Sequence, residues 1–224
     1  TQRVYLDSST VPKTWWWPNQ ANANSETGLG MVYGKLNLLD SDGEWYYDSD
    51  GGTLYLRIVG EGDPGTNTVE MKRRNWCMII GGDYVTVKGI ATRAGAIELN
   101  GTGDVLDGCD AGYLSHDMII KNGAGPNDGF AQGGGVVLNG ASNTVCNCVI
   151  HDTAGSGVNV SSGNGHVITN NLIYNIDYVG TSACGINLSG TGDIVRFNTI
   201  HDGGRALIQP GVSGQDMEFK GIYK

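Results

Sequence analysis

An all-β chain of stacked, parallel coils is the fold class this sequence predicts, and three observations predict it. Glycine supplies 37 of the 224 residues while charged residues make up only 17%, the balance of a chain rich in tight turns and short strands. Apolar residues come in short alternating runs bounded by Gly, Asn and Asp, the pattern of strands and not of helices. The C-terminal half also repeats itself in units of about 21 to 28 residues, the mark of a solenoid or array.

The repeat units are "GVVLNGASNTVCNCVIHDTAGS" (135–156), "GVNVSSGNGHVITNNLIYNIDYVGTSAC" (157–184) and "GINLSGTGDIVRFNTIHDGGR" (185–205). A further unit begins at Ala206, and a weaker one, "MIIGGDYVTVKGIATRAGA", occupies 78–96. Each opens with Gly and an alternating run, passes a polar turn, and ends on an Ile-aromatic/His-Asp/Asn step. If successive coils stack, like residues lie over like. Val136, Val158 and Ile186 then form one inward column, Leu138, Val160 and Leu188 a second, and Ile150, Ile173 and Ile200 a third. Asn171 and Asn198 share a position where stacked amides satisfy buried turn groups, with Cys148 cutting that ladder short. The same register makes His151-Asp152, Tyr174-Asn175 and His201-Asp202 one turn position, so the repeated His-Asp pair is first an architectural corner.

These units resemble the right-handed parallel β-helix repeat family over roughly residues 70–224. The resemblance implies an all-β, right-handed parallel β-helix; many polysaccharide lyases, hydrolases and glycan-binding modules share that fold. Residues 1–70 are expected to cap the first coil, leaving 71–224 as coils of a single domain over 1–224, cut from a larger protein. Within the cap, "GEWYYDSDGGTLYLRIV" reads as a β-hairpin around a Ser-Asp-Gly-Gly turn. Two Asp-Ser-Asp-Gly tetrads, at 40–43 and 48–51, lack the spacing of a calcium loop and read as turns.

Composition narrows the function. The net charge is −9 with no basic cluster, which argues against nucleic acid and anionic membranes as partners. No apolar run approaches the ~20 residues of a membrane span. The opening "TQRVYLDSST" has no apolar signal core, so any export signal is expected to be gone. The five cysteines show neither CxxC nor Cys/His ligand spacing, so they read as small core fillers, with no metal and no cofactor expected.

Insertions in a solenoid gather on one edge, and those edges bind. The turns before Gly135 and Gly185 are longer than the one before Gly157. Beside that edge, alternation places Glu98, Val137, Asn159, Asn187 and Ile208 on an outward strand stripe. Glu98, Asn159 and Asn187 offer hydrogen bonds to hydroxyls, Tyr113 and Tyr178 offer rings to a pyranose face, and Trp16 of "TWWWP" is a further exposed aromatic. The basic residues near the edge reduce to Lys121, Arg196 and Arg205 beside the two His-Asp pairs. These residues predict a polysaccharide-binding surface. The chain further resembles the β-helical carbohydrate-binding modules of secreted bacterial xylanases. That implies a non-catalytic module for a neutral plant polysaccharide, xylan first, covalently joined to a catalytic domain, in the extracellular or periplasmic space or at the cell surface. The alternative is a fragment of a β-helix glycoside hydrolase or lyase acting through His201, Asp202 and Arg205.

Overall fold

The computed structural model describes residues 35–66, 68–71, 74–115, 134–178, 183–204, 206–210 and 218–223. Trp16, Lys121 and Arg205 lie outside them. The described residues divide into two compact units, one up to Met71 and one beyond it.

In the first unit, β1 (Trp45–Asp48) and β2 (Thr53–Leu56) pair antiparallel, Tyr46 opposite Tyr55 and Tyr47 opposite Leu54. This is the hairpin that the alternating WYYD and TLYL runs predict. The second acidic tetrad serves its own turn, and the first reaches across to the segment 57–60. The Asp50 N–H donates to Asp48 Oδ1 at 3.1 Å, and Asp42 accepts from the Gly60 N–H at 3.0 Å while pairing with Arg57.

The second unit is a parallel β-solenoid of about five turns, the first four built from three short strands each. The first turn holds β3 (Trp76–Ile80), β4 (Thr86–Lys88) and β5 (Ala91–Arg93), the second β6 (Ala96–Leu99), β7 (Val105–Asp107) and β8 (Asp110–Gly112). The third holds β9 (Val136–Leu138), β10 (Thr144–Cys146) and β11 (Val149–Thr153), the fourth β12 (Val158–Val160), β13 (Val167–Thr169) and β14 (Leu172–Ile176). In the fifth, β15 (Cys184–Leu188) precedes β16 (Ile194–Gly203), whose single long strand spans the middle and third positions. The strands β17 (Ala206–Pro210) and β18 (Glu218–Tyr223) open a sixth. First-position strands stack into a six-stranded sheet and the others into a ten-stranded one.

The predicted columns are the observed register. Val136, Val158 and Ile186 pair in sequence, as do Leu138, Val160 and Leu188, and Ile150, Ile173 and Ile200. All nine side chains are fully buried. The glycines that open the units at 157 and 185 have a packing cause. A Cβ on Gly157 would stand 2.6 Å from Ile173 Cγ2, and one on Gly185 2.6 Å from Ile200 Cγ2, so the third-strand isoleucine fills the space that glycine leaves.

Two polar ladders run through the interior. Asn171 Oδ1 accepts the Cys148 N–H at 2.9 Å, its Nδ2 donates to Val145 O at 3.0 Å, and Asn198 Oδ1 accepts the Asn171 N–H at 2.9 Å. Cys148 continues this column with sulfur: its Sγ takes the Cys109 N–H at 3.4 Å, and burial pushes the thiol pKa up to about 12. The second ladder is Asp104, Asn143, His166 and Asp193, all buried, each just before a middle strand. Each accepts the backbone N–H of its counterpart one turn earlier. His166 serves through Nδ1 at 3.3 Å while its Nε2 contacts Ser162 O at 3.1 Å. Only the neutral ring protonated at Nε2 satisfies both.

One predicted position differs. Ile208 pairs with Ile186 and packs against the core, so Gln209, opposite Asn187, takes the outward place.

Candidate functional site

The connections after the third strands are the irregular ones. They run over 94–95, 113–135, 154–157, 177–183 and 204–205, whereas the connections after the first strands of the five turns, 81–85, 100–104, 139–143, 161–166 and 189–193, hold nearly constant length. Where each third strand ends, the chain turns through a left-handed residue: Ala94, Tyr113, Asp152, Asn175 and Asp202, with φ between 51° and 60°. Asp and Asn tolerate that conformation well, which explains their recurrence. The His-Asp pairs are therefore one corner of the fold, as their register predicts: His151 stacks with Tyr174 and Tyr174 with His201.

The corner also carries a bonded network. Arg93 grips Asp110 through Nη1 and Nη2, both at 3.0 Å, and Asp110 Oδ1 lies 3.0 Å from His151 Nε2. On the other side of the ring, His151 Nδ1 meets Asp152 Oδ2 at 2.6 Å, and Asp152 Oδ1 accepts from Asn175 Nδ2. The Arg93 guanidinium holds the Asp110 carboxyl below the usual carboxylate range. Gly112 makes the seat for His151: a Cβ there would stand 2.7 Å from His151 Cε1 and 2.9 Å from Nε2.

Above this seat the rings of His151, Tyr174 and His201 lie parallel, with centroids 5.1 and 5.4 Å apart and planes within 7°. Tyr174 has both faces covered, and His151 and His201 each have one, so along its flank the column presents polar edges. Tyr113 and Tyr178 flank it, 47% and 45% exposed. Tyr113 meets His151 edge-on at 6.2 Å. Burial, with Asp152 and Tyr113 nearby, holds the Tyr178 hydroxyl above its ordinary pKa. Two sequence-predicted residues, Tyr113 and Tyr178, thus share one patch with Asp152.

Glu98, Asn159 and Asn187 stand elsewhere, on the outward column of the six-stranded sheet with Val137. Glu98 accepts from Asn139 Nδ2 and Asn159 from Asn187 Nδ2, both at 2.8 Å; Asn159 is buried and the other two half-buried. Arg196 leaves the edge altogether, lying on the middle strand over the Phe197 ring at 5.8 Å. Sequence reasoning missed Arg93, Asp110 and Gly112. The signal was available in "GCDAGY", whose Asp-x-Gly aligns with Val-x-His one turn later.

The two His-Asp pairs are not equivalent. His201 Nδ1 contacts Asp202 Oδ2 at 2.8 Å, as His151 does its own aspartate, but among the described residues His201 Nε2 has no partner. An imidazole fixed through Nδ1 and open at Nε2 can give or take a hydrogen bond, or a proton, at that nitrogen. The described residues contain no group of three His, Cys, Asp or Glu placed to hold a metal ion, and no helix among them is long and apolar enough to cross a membrane.

Fold and corner together define a parallel β-solenoid with a bonded polar edge. No family, curated protein or solved structure matches the chain.

Proposed function

We propose that this chain is a non-catalytic carbohydrate-binding module for a neutral plant polysaccharide, xylan ahead of glucans, joined to a catalytic domain in a secreted bacterial enzyme of plant-cell-wall degradation. The observation that carries the reading is the pair of half-exposed rings, Tyr113 and Tyr178, beside the bonded His151–Asp152 pair. Aromatic surface covers the C–H face of a pyranose, and fixed polar groups meet its hydroxyls. Preorganisation matters because groups already bonded lose little freedom on binding. A net charge of −9 favours neutral chains over polyuronates at low salt. Affinities of about 10 μM to 1 mM are expected for such an open surface.

The test is affinity electrophoresis on xylan, mixed-linkage glucan and polygalacturonate, comparing wild type with Tyr178→Ala. Xylan retardation that weakens in the variant supports the reading; retardation by polygalacturonate alone overturns it. A second reading, a β-helix hydrolase or lyase fragment, is favoured by one observation, the open Nε2 of the His201–Asp202 pair. Reducing-sugar release or an unsaturated product from any of the three substrates would establish that reading instead.

A further inference from the structure

We infer that a bound glycan runs along the solenoid axis, one sugar per turn, over Asp152, Asn175 and Asp202, and that its direct polar contacts come from turns four and five through Asn175, His201 and Asp202. This rests on the carbohydrate reading above and adds the direction, reach and chain shape of the ligand.

Three observations carry it. First, Asp152, Asn175 and Asp202 occupy one position on consecutive turns, each just after the stacked His151, Tyr174 and His201. Successive turns are roughly 4.8 Å apart, close to the advance per sugar of an extended β-1,4-linked chain. A curled chain, such as an α-1,4-linked glucan, cannot keep that step.

Second, the lower half of the corner is closed and the upper half open. His151 is bonded at both nitrogens, Asp110 is gripped by Arg93, and Asp152 is bonded by His151 and by Asn175. In turn five, His201 Nε2 has no partner among the described residues, the His201 side chain is 38% exposed and that of Asp202 75%. Turns one to three therefore buttress, turn five contacts through His201 and Asp202, and turn four contacts through Asn175 Oδ1, since Asn175 Nδ2 is given to Asp152.

Third, Tyr174 has a ring on each face, and His151 and His201 each turn one face to it, so along the flank of the column the rings offer edges to a ligand. Edges of His and Tyr hydrogen-bond hydroxyls; they do not stack on sugar faces. That favours a hydroxyl-rich chain, with ring stacking left to Tyr113 and Tyr178 at the flank.

The experiment is calorimetry on the full chain with xylo-oligosaccharides of two to six sugars and with a malto-oligosaccharide of equal length. Affinity is expected to climb at least several-fold from two sugars to three or four, then level off, with weaker binding of the malto series. Asp202→Asn and His201→Gln should each lower affinity for the four-sugar chain at least threefold. Asn is tolerated at this left-handed corner, as Asn175 shows, so Asp202→Asn keeps the fold. Thr169→Ala, on the middle strand, should bind as wild type does. Affinity that is flat beyond two sugars, or unchanged in both variants while Tyr178→Ala loses binding, overturns this inference and leaves the carbohydrate reading standing. If no oligosaccharide and no polysaccharide binds, both fall together.

Discussion

Replacing Ile173 by alanine probes the stacking on which everything else depends. The side chain is fully buried between Ile150 and Ile200, and its Cγ2 fills the space over Gly157. The substitution removes three carbon groups, a transfer loss of about 2.4 kcal/mol at ~0.8 each. The vacated space, on the order of 80 Å³, adds about 1.9 kcal/mol where neighbours cannot collapse into it. Collapse is opposed here: the flanking isoleucines belong to turns held at fixed spacing by backbone ladders, and glycine has nothing to move. A cost of about 4 kcal/mol follows. Leu172, next along the strand, points outward and is 36% exposed, so Leu172→Ala should cost under ~1 kcal/mol. Urea unfolding followed by circular dichroism reads both. With an m-value of roughly 2–3 kcal/mol per molar, the Ile173 midpoint should fall by about 1.5–2 M. A loss below half a kilocalorie, or equal losses at the two positions, refutes the inward column.

Cys148→Asn should stabilise the solenoid by about 1 kcal/mol, because an amide there can accept the Cys109 N–H and donate to Leu106 O, the counterparts of the bonds that Asn171 and Asn198 make to the turn before their own; thermal melts that drop contradict it. Gly112→Ala should dislodge the His151 ring from Asp110, visible as a change in the His151 imidazole nitrogen shifts, and an unaltered spectrum counts against the seat. Acid should weaken the fold through His166, whose pKa burial lowers below the ordinary 6.5: the unfolded chain takes up the proton first, so this contribution is complete above pH 6.5 and is lost as pH falls through it, by at most about 1.4 kcal/mol per pH unit. Burial raises Asp193 above 3.8, which favours the fold in acid and opposes that slope at its lower end; His166→Asn should flatten the slope between about pH 6.5 and 5, and an unchanged slope would assign it to other groups.

Much of the solenoid is legible in the chain because stacking makes each column a repeated letter. Val136, Val158 and Ile186 give the register away, and so do the His-Asp steps. The second turn was harder to see. The long connection over 113–135 breaks the period after it, although "NGTGD" at 100–104 and "SGTGD" at 189–193 mark the same corner. In "ALIQP" both Leu207 and Ile208 are apolar, so alternation alone cannot choose which faces inward; pairing of Cys184 with Ala206 sets it. The buried ladder of Asp104, Asn143, His166 and Asp193 reads in sequence as ordinary turn residues, since nothing local tells a buried acceptor from a solvated one. The Arg93–Asp110–His151–Asp152 network joins residues far apart in the chain. It exists only because coils stack, and the Asp-x-Gly of "GCDAGY" points to it only once that stretch is laid against Val149–His151 one turn later.

The claim that this corner holds a glycan is tested most directly by titrating the isotope-labelled chain with a four-sugar xylo-oligosaccharide and following backbone amide shifts. The account predicts saturable shifts confined to the amides around Tyr113, Asp152, Asn175, Tyr178 and Asp202, with the middle strands β10 and β13 unmoved. Shifts centred on the outward column of Glu98, Asn159 and Asn187 instead, or no saturable shift at millimolar ligand, would contradict it.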